Sequence, residues 1–84
     1  MEELDKKVIG VLKAAFPSAE IDLQDDDGII GVLVSNEFEG VEAIDRQNRI
    51  WKVLDRSLVP EEKRRIHIIV AATPEEHIGH MSTW

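Results

Sequence analysis

The sequence predicts an α+β fold: a two-layer sandwich with a three-stranded mixed sheet and helices on one face, in the order α-β-β-α-(turn)-β-α. Three observations predict it. Apolar residues recur at three- and four-residue spacing over residues 4–15 and 41–58, the mark of amphipathic helices. Short stretches at 19–24, 29–34 and 65–71 alternate or run apolar, as strands do. The first two stretches are joined by a tight turn, which favours a hairpin. A long helix separates the second from the third, which favours a crossover and parallel pairing.

The first helix carries Leu4, Val8, Val11, Leu12 and Ala15 on one side, with Glu2, Glu3 and Asp5 at its start and Lys13 near its end. That charge order suits the helix dipole, and Pro17-Ser18 stops the segment. Ala19 to Gln24 alternates like a half-buried strand. Asp25-Asp26-Asp27-Gly28 supplies the local hydrogen bonding and positive φ of a turn. Ile29 to Val34 reads as a more buried strand, followed by a loop from Ser35 to Gly40.

The second helix places Val41, Ile44, Asn48, Trp51, Leu54 and Leu58 on one face, widened by Ile50 and Val53. Trp51 is expected in the core. Pro60 ends that helix and opens a short helical turn. Arg65 to Ala71 is apolar at nearly every position, which predicts a strand covered on both faces. Thr73-Pro74-Glu75-Glu76 has the residues of a capped helix start.

Size and composition bound the function. The 84 residues allow a single domain, taken as 1–84 with a flexible tail at 79–84. Ten Ile and eight Val are too many branched aliphatics for a disordered chain. With no Cys there is no disulfide, thiolate zinc site or cysteine nucleophile, which fits a cytoplasmic setting. The N-terminus reads as neither signal nor transit peptide, and no stretch is long enough to span a membrane. No nucleophile elbow or phosphate loop occurs, so the chain is expected not to be an enzyme.

The net charge of −7 argues against a general polyanion binder, but it is unevenly distributed. Residues 1–45 hold 12 acids and 3 bases, a net of −9, while 46–65 hold 7 bases and 3 acids, a net of +4. The bases are Arg46, Arg49, Lys52, Arg56, Lys63, Arg64 and Arg65, and they form the candidate surface for nucleic acid or a partner. Arg49, Lys52 and Arg56 share a helix face opposite the apolar stripe. The competing reading is a solvated face laced by ion pairs such as Asp45–Arg49 and Lys52–Asp55.

Several strings resemble the BolA family. They are Val34-Ser35-Asn36-Glu37-Phe38-Glu39-Gly40, then Arg46-Gln47-Asn48-Arg49, and finally Ile66-His67-Ile68-Ile69-Val70 followed by Thr73-Pro74-Glu75-Glu76. The resemblance runs over roughly residues 5–78. It implies a KH-like (type II) fold and no enzymatic activity. It also implies partnership with a monothiol glutaredoxin in iron–sulfur or iron homeostasis, and for some members stress-linked transcription regulation through DNA. The expectation is a monomer or weak homodimer with no membrane association.

In such complexes the last-strand His, here His67, is a ligand to a cluster shared with the partner, of the 2Fe–2S type; the chain holds no cofactor alone. The second ligand comes from the loop between the first two strands. Here that loop is Asp25-Asp26-Asp27-Gly28, with neither Cys nor His, and Gln47 stands where the family's main-helix motif has His. The plainer reading of His67 is a strand-end imidazole hydrogen-bonded to a neighbouring loop.

Other motifs carry less. His77 and His80 are spaced i, i+3 and read as surface residues. Gly28-Ile29-Ile30-Gly31 imitates a KH backbone clamp but runs from a turn into an apolar strand. The three consecutive Asp residues lack the spacing of a calcium loop.

Overall fold

A computed structural model describes residues 4–77. Helix α1 (Leu4–Ala15) leads into strands β1 (Glu20–Asp25) and β2 (Ile29–Val34), then a short 3-10 turn (Asn36–Phe38). Helix α2 (Ala43–Ser57), the short α3 (Pro60–Arg64) and strand β3 (Ile66–Ala72) follow, and residues 74–77 begin a further helix. The sheet order is β1-β2-β3, with β1 antiparallel and β3 parallel to β2. This is the mixed α+β sandwich expected. The tail assigned to 79–84 lies outside the described residues. No helix among the described residues is long and apolar enough to cross a membrane.

One face of the sheet meets both long helices. Val8 and Leu12 of α1 and Ile50 and Leu54 of α2 pack on Ile29 and Leu33 of β2 and Ile66 and Ile69 of β3. Phe16 and Phe38 close one end of this core with ring centroids 5.4 Å apart. Gly31 sits where β1 passes so closely that a β-carbon would overlap the backbone of Asp22 and the Leu23 side chain.

Two packing expectations need correction. The buried stripe of α2 centres on Ile50 and Leu54, with Trp51 and Val53 half-buried on its flanks, while Ile44 is 68% exposed and Asn48 is also exposed. The buried stripe is rotated from the expected one, because Ile44, Asn48 and Trp51 repeat at helical spacing one flank away. Strand β3 is also not covered on both faces: Ile68 and Val70 are 55% and 48% exposed on the side away from the helices. An all-apolar strand hides the alternation that would reveal an open face.

Candidate functional site

Strand β3 begins with an irregularity that singles out His67. Ile29 pairs with Ile66 but Ile30 pairs with Ile68, so His67 is an extra residue in the ladder. Such a bulge re-aims its side chain. The imidazole lies against Gly28 in the β1–β2 turn, where any β-carbon would overlap the ring. Gly28 also has φ of +126°, a conformation that disfavours other residues. Asp27, at φ +62°, takes the left-handed conformation that Asp tolerates in turns.

The turn is tied to the start of β3 by two further links. Ile29 N–H donates to Arg65 O at 2.7 Å, and Arg65 Nη2 donates to Asp25 Oδ2 at 3.2 Å. His67 is thus exposed, backed by a fixed turn, and makes no side-chain hydrogen bond to any described residue. The loop contact expected for a plain strand-end His is present, but as packing rather than a hydrogen bond. An imidazole held this way presents a ring nitrogen at the surface that can bind a metal or accept a hydrogen bond. Among the described residues no group of three or more His, Asp or Glu is placed to hold a metal ion.

The other end of β3 is built differently. Arg46, on α2, donates from Nε to Val41 O at 2.8 Å and from Nη1 to Ala71 O at 3.2 Å. Its two terminal nitrogens also grip Glu76, at 2.7 and 3.1 Å, and its guanidinium lies 5.9 Å from the Phe38 ring centroid. Glu76 Oε1 accepts from Thr73 N–H at 3.0 Å, and Glu76 N–H donates to Thr73 Oγ1 at 3.2 Å. This is the reciprocal capping box that Thr73-Pro74-Glu75-Glu76 predicts. The Arg46 hydrogen bond, followed by that of Thr73, holds the Glu76 carboxyl down to about 2. Beside Arg46, Gln47 Nε2 donates to Ile69 O at 2.8 Å. The two α2 side chains therefore satisfy carbonyls on the edge of β3 that no strand among the described residues covers.

The seven basic candidates separate accordingly. Arg46 is drawn inside, with a side chain only 12% exposed. Lys63 pairs with Asp55 at 2.9 Å and Arg65 with Asp25. Arg49, Lys52, Arg56 and Arg64 are exposed and pair with no acid among the described residues. Neither of the expected pairs, Asp45–Arg49 or Lys52–Asp55, forms; Asp55 turns to Lys63 instead. Arg49 and Lys52 border an open hollow of about 370 Å³ that Glu42 and Asp45 also line, so its charge is mixed. His77 reaches a separate hollow beside Ser35 and Pro74, and His80 lies outside the described residues.

Sequence reasoning did not find the role of Arg46 in bracing the fold, nor the burial of Phe38. The Phe-x-Gly string was the available signal for Phe38; nothing local announces a contact between residues 46 and 76.

Neither the protein-family models nor the curated proteins contain a match to this chain. Among solved structures, BolA1 from Arabidopsis thaliana superposes with a TM-score of 0.69 at 21% identity, covering 90% of this chain and 98% of that one. The strand order, the parallel last strand and this superposition agree with the motif resemblance, and the chain has a BolA-like fold.

Proposed function

We propose that the chain is a non-catalytic, BolA-like adaptor that docks a monothiol glutaredoxin-type protein and serves iron–sulfur or iron homeostasis. The observation that carries this reading is the exposed His67 imidazole, aimed by the bulge and braced by Gly28. His67 is the one ligand this chain offers to a shared 2Fe–2S cluster. The sulfur ligands are the partner's, because the sequence has no Cys. The turn 25–28 reaches the imidazole but brings only Asp and Gly, so the chain contributes one donor rather than two.

The test is to mix the protein with cluster-loaded monothiol glutaredoxin and record the visible absorption, comparing His67→Ala. A spectrum perturbed by the wild type and not by the variant supports the ligand role; identical spectra contradict it.

A second reading, a DNA-binding transcription regulator, is favoured by the exposed bases Arg49, Lys52 and Arg56, which pair with no acid among the described residues. It requires an affinity that falls steeply with salt, and replacing those three bases should flatten that dependence. Salt-independent or undetectable binding removes it.

A further inference from the structure

The sheet face turned away from the helices is apolar along two strands and acidic along the third. Register places Ile30 beside Ile68 and Val32 beside Val70, with Gln24 and Asp22 next to Ile30 and Val32 on β1. Glu20 extends the same row toward Val34. Ile30 and Ile68 are 42% and 55% exposed, a contiguous run of branched side chains rather than scattered singles. Asp22, Gln24, Ile30, Val32 and Ile68 line a shallow trough of about 310 Å³. Glu20 and Asp22 are exposed and pair with no base among the described residues. An apolar floor with one carboxylate wall complements an apolar stripe flanked by lysine or arginine.

We infer that this face is a docking surface for an amphipathic polypeptide segment with a basic flank. It is separate from the His67 end and stands whether or not the adaptor reading holds. The apolar stripe seats on Ile30, Val32, Ile68 and Val70, and the basic flank runs along Glu20 and Asp22. The carboxylates set the orientation and discourage acidic segments.

The test is methyl NMR of the full chain titrated with a short amphipathic helical peptide of leucine and lysine, against a leucine–glutamate peptide of the same pattern. Shifts should centre on Ile30, Val32, Ile68 and Val70, and the glutamate peptide should leave them unmoved. Ile68→Ser, at an exposed site that does not threaten the fold, should weaken binding on the order of tenfold. Asp22→Lys should weaken it by roughly two- to fivefold at low salt. His67→Ala should leave it unchanged, which separates this surface from the proposed cluster ligand.

Shifts centred elsewhere, or equal binding of both peptides, overturn the inference. So do shifts on this face that grow with protein concentration before peptide is added, which would make a second copy the occupant. Nuclear Overhauser contacts between Trp84 and Ile68 in the free protein would assign the face to the chain's own terminus and also overturn it.

Discussion

The two ends of β3 are built from residues of the same motif set and are used in opposite ways. At its C-terminal end Arg46 joins Val41 O, Ala71 O and Glu76, and Gln47 reaches Ile69 O. At its N-terminal end His67 rests on Gly28 with no side-chain hydrogen bond to a described residue. A polar group fully engaged inside the molecule has little left for a partner. One that is positioned by packing but left unbonded is preorganised for a partner, because its rotamer is already restricted. Arg46, although basic and within the charged segment, braces the fold, while His67 stays exposed and unbonded to any described side chain.

That contrast can be broken by exchanging stability for binding. The largest stability effect is expected from Arg46→Ala, which leaves the Ala71 carbonyl without its side-chain donor and Glu76 without its guanidinium. A loss of about 1–3 kcal/mol in urea unfolding is expected for removing charge-assisted bonds of this kind. The proposed docking at the His67 end should be retained by the fraction that remains folded. Gly28→Ala should come next, because it forces a side chain into positive φ and displaces the imidazole. A destabilisation of about 1 kcal/mol is reasonable for the backbone alone, and the His67 resonances should move. If both leave stability untouched, the turn and the Arg46–Glu76 pair are not the constraints described.

A pH measurement sharpens the Arg46–Glu76 end. Glu76 titrates at about 2 in the folded protein against 4.5 for an ordinary Glu. Its folded pKa is depressed, so its contribution is fully present above pH 4.5 and is lost as pH falls toward 2. Glu76→Gln should lower stability at neutral pH and flatten the acid dependence in that window, read by thermal melts in a pH series. An unchanged acid slope would mean the Arg46–Glu76 pair is not formed in solution. The smallest effect is expected on the α2 surface. Replacing Arg49, Lys52 or Arg56 singly with Ala should change stability by no more than roughly 0.5 kcal/mol, since each is exposed and unpaired among the described residues.

The parts legible in the sequence are those whose signals are local. The Asp-rich turn, the Pro60 start of α3 and the Thr73–Glu76 capping box depend on residues within four positions of one another, and each forms as expected. The parallel β2–β3 pairing was also legible, because an intervening helix leaves few alternatives. What the sequence concealed depends on distance along the chain. Arg46 and Glu76 are 30 residues apart and Gln47 and Ile69 are 22 apart, so neither contact has a spacing to read. Likewise, Ile68 and Val70 are as apolar as Ile66 and Ile69, and only the finished sheet shows which pair faces outward. The motif singles out His67 only as a candidate, and its contact with Gly28 depends on a bulge that residue type does not announce.

The contrast between the two ends of β3 is tested most directly by an NMR titration of the full chain with a monothiol glutaredoxin, followed residue by residue. Shifts are expected to concentrate on residues 25–28 and 65–67, with little change at Arg46, Thr73 and Glu76 and with the response lost in His67→Ala while the fold stays intact. Shifts confined to the Arg46–Glu76 end, or an undiminished response in His67→Ala, would contradict that contrast.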